Sequence, residues 1–288
     1  MLKKRIVATV VVRNGIVVQS INFGRYLPVG KPLIALEFLN SWGIDEIILL
    51  DISASKEGQQ PDYEMVRSAS ARSYVPLTVG GGISSVAHIR ELMHCGADKI
   101  SFNQMALQKP ELISEAADVF GNQCVVVSID ALKTADGYRV YDYLKKETLG
   151  KTPAEFAASA EKLGAGEILI NSVDRDGSYQ GYDLDLIKPV CAAVNVPVIA
   201  AGGAKNADDF IEVLSQTEIS AASAANFFHF TEHSVNRTKA SIAQQLDVRL
   251  ETHADYKENQ FDKDGRLSKK TDQVLEDMLF VRIEKEEI

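Results

Sequence analysis

The chain repeats itself at long range. "EIILLDI" at 46–52 is matched by "EILINSV" at 167–173, an offset of 121 residues (167 − 46). "PLTVGGG" at 76–82 is matched by "PVIAAGG" at 197–203 at the same offset (197 − 76). Two half-structures of one design are therefore fused in a single chain. Around the repeat, short β-branched runs alternate with amphipathic stretches. The runs are Arg5–Val12, Glu46–Ile52, Tyr74–Val79, Lys99–Asn103, Cys124–Asp130, Glu167–Val173, Val196–Ala201 and Ile219–Ala224. Helices are predicted over Pro32–Trp42, Tyr63–Ser70, Val86–Met93, Glu111–Phe120, Pro153–Leu163, Leu184–Ala193, Ala207–Leu214 and Glu232–Gln245. Eight strands each followed by a helix make an α/β fold, a (β/α)8 TIM barrel of two half-barrel repeats, for which about 250 residues is usual. A doubly wound open sheet is the other arrangement, and it rarely needs eight such units.

The barrel is assigned to residues 1–245, and 246–288 to a C-terminal extension that packs on the barrel or docks a partner. That extension carries an Asp-Gly turn, Thr271 as a helix N-cap, a short amphipathic helix and the β-like "LFVRI", with Leu275, Met278, Leu279, Phe280 and Ile283 as its apolar residues. With 45% hydrophobic residues in 288, the chain can bury a large core. No apolar run reaches the ~18 residues of a membrane span, and the start lacks the pattern of a signal peptide. Cys95, Cys124 and Cys191 stand far apart without a CxxC pair, which reads as reduced thiols in a cytoplasmic protein. His229 and His233 are spaced i,i+4, but with no third ligand in view they read as a helix-surface pair, and no metal or cofactor is expected. A net charge of −9 argues against a nucleic-acid partner.

Alternation along the strands places charged residues at two levels. Positions 5, 46, 99 and 167 begin their strands and face inward, so Arg5, Glu46, Lys99 and Glu167 form one layer at the strand starts. Four buried charges rarely gain stability over apolar packing, and taken by themselves they read as a ring that closes the barrel bottom. Above it, Val7, Thr9, Ile48, Ser101, Val126, Ser128 and Leu169 supply small or apolar groups. At the strand ends "CVVVSID" finishes on Asp130, while its repeat partner in the first strand is Val11. Asp176, in "DRDG", reads as a second acid–base group or as an Asp-Gly turn residue. Gly80–Gly82 and Gly202–Gly203 can turn backbone N–H groups toward phosphate.

"KKRIVATVVVRNG", "LLDISAS", "PLTVGGGI", "GADKISFN", "QCVVVSIDA", "GAGEILINSVDRDG" and "VPVIAAGGA" together resemble the cyclase subunit of imidazole glycerol phosphate synthase, from residue 1 to about 245. The resemblance implies a glutaminase docked on the N-terminal face and ammonia passing up the barrel interior. At the C-terminal face it implies a substrate with two phosphates that is split and cyclised. Carried over residue by residue, Arg5, Glu46, Lys99 and Glu167 match the ammonia gate. Thr78, Asn103, Asp130 and Asp176 match substrate-site positions, with Asp130 and Asp176 catalytic. Gly81, Gly82, Gly202 and Gly203 fall to phosphate binding, and Asp98 to the partner interface.

The carry-over fails elsewhere. The essential strand-one aspartate is Val11, the loop lysine is Gln19, the strand-six threonine is Asn171 and the strand-seven serine is Ala201. Gln104 and Asn226 replace a threonine and a phosphate-holding serine. Ring closure needs one carboxylate to donate a proton while another accepts one, and valine does neither. This pattern is similar to cyclase-like paralogues of surface-polysaccharide (lipopolysaccharide) pathways. There a glutaminase and a barrel supply ammonia for an amidino or related group on a nucleotide-linked sugar that a third synthetase activates. Two other readings stand beside it: a true histidine-pathway lyase that uses Asp176 in place of the missing acid, and a non-catalytic scaffold that activates its glutaminase.

Overall fold

The computed structural model describes residues 3–230, 233–252, 268 and 271–274. The chain divides into two compact units, Met1–His253 and Ala254–Ile288. In the second, the Val274 N–H donates to Thr271 Oγ1 at 3.5 Å, the bond of an N-cap. Leu275, Met278, Leu279, Phe280 and Ile283 lie outside the described residues.

The first unit is a closed (β/α)8 barrel. Its strands are β1 (Arg5–Arg13), β2 (Glu46–Asp51), β3 (Leu77–Gly80), β4 (Lys99–Phe102), β5 (Val125–Thr134), β6 (Glu167–Ser172), β7 (Val198–Ala201) and β8 (Ala221–Ala224). Each pairs in parallel with the next, and β1 closes the ring on β8 with Arg5 opposite Ala221. The outer helices are α1 (Pro32–Ser41), α2 (Tyr63–Ser70), α3 (Val86–His94), α4 (Glu111–Phe120), α5 (Pro153–Lys162), α6 (Leu184–Ala193), α7 (Ala207–Gln216) and α8 (Ser234–Ile242). Several starts are fixed by side chains that satisfy free N–H groups. Asp62, Ser85 and Asp183 cap α2, α3 and α6, and reciprocal capping boxes at Thr152/Glu155 and Asn206/Asp209 open α5 and α7. The strands bury residues on both faces. One core fills the space between strands and helices, and a smaller one inside the barrel comprises Val7, Ile48, Val126, Leu169, Ile199 and Ala221.

The repeat holds in space as well as in sequence. Gly81 (φ +111°) lies so close to the Asp51 carbonyl that a Cβ would sit 2.2 Å from its oxygen. Its repeat mate Gly202 (φ +96°) stands against the Ser172 carbonyl in the same way, at 2.8 Å. Both positions demand glycine for backbone approach alone.

Two β-hairpins rise above the rim where the sequence pattern ended its strands. β1 turns at Asn14–Gly15, both with positive φ, into an antiparallel pair Ile16–Ile21 and Arg25–Gly30. β5 runs past Asp130 to Thr134 and returns as Gly137–Asp142, followed by Glu147–Thr148. Pro28 and the glycines at 24 and 30 interrupt the β pattern of the first hairpin.

At the opposite end, residues 247–252 lie across the strand starts. Val248 forms a parallel bridge with Lys4, and Thr252 Oγ1 donates to the Ser41 carbonyl at 2.7 Å. Asp45 is the hub: it accepts from Ile6 N–H (2.8 Å), from Arg249 Nε (2.9 Å) and from the buried Lys239 ammonium.

The two histidines do not share a helix. His229 ends the short helix Asn226–His229, whereas His233 sits at the N-cap of α8 with φ +54° and packs on Trp42. His229 Nε2 is buried without a hydrogen-bond partner among the described residues, and burial lowers its pKa to about 4. The unfolded chain therefore protonates first, and stability is lost as pH falls from 6.5 toward 4. His229→Leu is expected to flatten that loss by about 2 kcal/mol, read from urea midpoints at pH 5 and pH 7.5. An unchanged slope would free His229 of the role.

Candidate functional site

The barrel has a charged floor. Arg5 donates to both Glu46 and Glu167. Lys99 Nζ also reaches both carboxylates, at 2.9 Å to Glu46 and 2.8 Å to Glu167. The acids are almost wholly buried (1% and 5% exposed), while Arg5 and Lys99 keep 28% and 19% of their side chains exposed. Burial works against the Arg5 charge, but Glu167 and Glu46 outweigh it and raise its pKa. The four form a closed ring in which each cation bridges both acids.

Thr78 belongs to this floor and not to the strand ends where the sequence reading set it. β3 begins at Leu77, not Tyr74, so Thr78 pairs in register with Ile48 and Lys99. It is fully buried, and its Oγ1 donates to Glu46 Oε1 at 2.9 Å. Asp98 lies beside it, exposed at the same end. It exchanges backbone and side-chain bonds with Leu77, whose N–H donates to Asp98 Oδ2 at 2.8 Å.

Above the inner apolar cluster, the strand ends open into a cavity of about 660 Å³. Asp130, Asp176, Asn103, Gly81, Gly82, Gly202 and Gly203 all line it, and so do Val11, Asn171, Ala201 and Asn226. Asp130, 6% exposed, accepts from Asn103 Nδ2 at 3.0 Å and Asn171 Nδ2 at 3.2 Å. Burial pushes its carboxyl up from 3.8 to about 7. The two amides pull it partly back, and Asp176 adds to the rise. Its proton is thus exchangeable near neutrality. β1 lies diametrically across the ring from β5, so the wall facing Asp130 presents Val11.

The other polar groups serve the hairpins. Asp176 Oδ2 accepts from Ser20 Oγ (2.6 Å) and from Phe23 N–H (3.1 Å), and burial raises its pKa against both bonds. Asn226 clamps the Ser20 backbone in both directions, accepting its N–H at 3.2 Å and donating to its carbonyl at 2.6 Å. Gln19 Nε2 donates to the Tyr179 hydroxyl at 2.9 Å, and Gln104 Nε2 bonds Asp142 and Asn103. Sequence reasoning missed Arg13, Ser20, Tyr26 and Tyr143, which the two hairpins bring to the cavity wall. The Asn-Gly turn was the available signal for the first hairpin.

Fold and site together define a (β/α)8 barrel with an ion-paired floor and an open polar mouth. A model of the histidine biosynthesis protein family matches residues 5–234. The putative imidazole glycerol phosphate synthase subunit hisF2 of Vibrio vulnificus (strain YJ016) is 44% identical over 267 residues, covering 92% of this chain and 98% of that one. The imidazole glycerol phosphate synthase subunit HisF of Clostridium botulinum (strain Okra / Type B1) is 43% identical over 253 residues, 87% of this chain and 100% of that one. The chain belongs to the histidine biosynthesis protein family.

Proposed function

We propose that this barrel is the synthase subunit of a glutamine amidotransferase complex. It takes ammonia from a separate glutaminase chain at its floor and delivers it to an acceptor at its mouth, without the ring-forming reaction. The observation that carries this reading is the contrast along one lumen. Four charges remain fully paired at the floor, while Val11 stands in the wall across from Asp130. Asp98 and the strand starts around it form the docking face. The phosphate-bearing acceptor is an activated sugar of a lipopolysaccharide pathway, and the nitrogen ends in an amidino group formed with a third, sugar-activating synthetase. The complete coverage of the Clostridium botulinum subunit favours a second reading, a working cyclase that relies on Asp130 and Asp176.

One experiment separates them. The pure protein is given excess ammonium salt and the bis-phosphate substrate that the resemblance implies, and the imidazole product is measured. No product is expected, and Val11→Asp is expected to recover only a small part of the ~10²–10⁴-fold that one acid–base group contributes, because Asn226 is engaged with Ser20. Steady turnover by the unmodified chain would establish the cyclase reading instead. For the docking face, co-expression with the glutaminase followed by size exclusion should give one complex, and two separate peaks at micromolar concentration would count against it.

A further inference from the structure

The hairpin after β1 is bolted down on the side of the mouth where the strand itself offers Thr9, Val11 and Arg13 but no carboxylate. In its antiparallel register Ser20 stands opposite Tyr26, which puts both side chains on one face. That face looks into the cavity, which both residues line. Four bonds described above hold it there: Ser20 Oγ and Phe23 N–H to Asp176, and the two-way clamp of Asn226 on Ser20. Tyr26 is oriented further by its own hydroxyl, which donates to the Phe23 carbonyl at 3.0 Å, and by the Arg13 guanidinium 5.0 Å from the ring centroid. Its surroundings contain Asp176, Arg13 and Asp130, with Tyr143 reaching in from the hairpin after β5.

We propose that Tyr26 supplies the proton-carrying group that faces Asp130 across the barrel mouth, with Ser20 and Asp176 as the positioning residues that hold it there. The geometry stands by itself, and the chemistry rests on the ammonia-delivery reading. When ammonia adds to an unsaturated C=O or C=N carbon of the acceptor, a C–N bond forms and the π pair moves to the heteroatom. That atom takes the phenolic proton, which leaves its bond to the Phe23 carbonyl, while Asp130 takes one from the new ammonium nitrogen. Transfer from Asp130 back to the phenolate restores both groups, so nothing beyond ammonia and the acceptor is consumed. The acceptor class follows: a neutral carbonyl or imine carbon whose heteroatom can accept a hydrogen bond from a phenol. Tyr26 remains protonated for this role because burial, Asp176 and Asp130 raise its pKa more than Arg13 and the Ser20 hydroxyl lower it.

The test uses the full chain with ¹³Cζ-labelled tyrosine, followed by NMR from pH 5 to pH 9. The Tyr26 signal is identified by its loss in Tyr26→Phe. In the unmodified protein it is expected to shift with a midpoint close to 7, as Asp130 ionises. The step should vanish in Asp130→Asn, survive in Asp176→Asn and shrink in Ser20→Ala, which frees the ring without removing a charge. A Tyr26 signal flat through neutrality, or a step that persists in Asp130→Asn, overturns the proposal. So does a step lost in Asp176→Asn alone in chains that remain folded, because Asp176 is then the group being sensed. Neither glutaminase nor acceptor enters this measurement, so its failure is distinct from a failure of the ammonia-delivery reading.

Discussion

Replacing Lys99 with leucine is expected to destabilise the barrel by about 3–5 kcal/mol, the usual cost of breaking a buried ion network. The change leaves Glu46 and Glu167, both nearly inaccessible, to share Arg5. For a unit of this size the melting temperature should fall by roughly 10 °C. The double variant Lys99→Leu/Glu167→Gln removes one charge of each sign and should recover at least 1 kcal/mol of that loss. Additive single effects would show that the four charges do not act as a ring. If the ring is also the ammonia gate, the glutaminase complex of Lys99→Leu should go on making glutamate while a larger share of the ammonia appears free in bulk. A glutamate-to-free-ammonia ratio equal to that of the unmodified complex, together with the lower melting temperature, would leave the ring as architecture.

The second large effect concerns Asp130. Its folded pKa near 7 lies above the unfolded value, so the folded chain holds the proton longer. The sign follows from linkage: Asp130 costs nothing below pH 3.8, costs progressively more between pH 4 and 7, and costs its full amount above 7. Asp130→Asn removes that penalty and should stabilise the barrel at pH 8 by up to about 4 kcal/mol, with little change at pH 4. Asn103 and Asn171 both donate to the carboxylate, so one of their amides must turn to accept from the new side chain. His229 acts in the opposite direction over nearly the same interval. The unmodified protein should therefore show a shallow pH profile, and Asp130→Asn should expose the histidine as a clear loss toward acid. Urea titrations at four pH values measure both, and a variant no more stable at pH 8 than at pH 4, relative to the unmodified chain, refutes the assignment.

The barrel was legible because its two halves repeat and because every strand alternates with a helix of the right period. The floor was legible for a related reason: strand starts are regular, so positions 5, 46, 99 and 167 fall at one level. Thr78 shows the limit. "YVPLTV" at 74–79 reads as one strand, yet the Asp98 carboxylate takes the Leu77 N–H and the strand begins only there. The resemblance assigns Thr78 to the mouth, whereas its register and its bond to Glu46 put it at the floor. The mouth was harder because its walls come from hairpins whose placement depends on contacts remote in sequence. Ser20 with Asp176, and Ser20 with Asn226, lie 156 and 206 residues apart. No local pattern encodes such pairs.

The strap at residues 247–252 has a consequence for the order in which the protein is made. Asp45 precedes the second strand, but Arg249, which completes its bonding, follows 204 residues later. Lys239, its other cationic partner, is also among the last residues of the unit to be synthesised. A nascent chain that has already exposed β1 to β4 to solvent still lacks both cations, as well as the β8 edge on which β1 must close. The first half-barrel therefore waits on the ribosome with an open strand edge and an unneutralised carboxylate at its base. Closure of the ring on β8 and completion of the bonds to Asp45 both become late events. The moment of greatest exposure to aggregation or to a chaperone is the interval between translation of Lys99 and translation of Arg249.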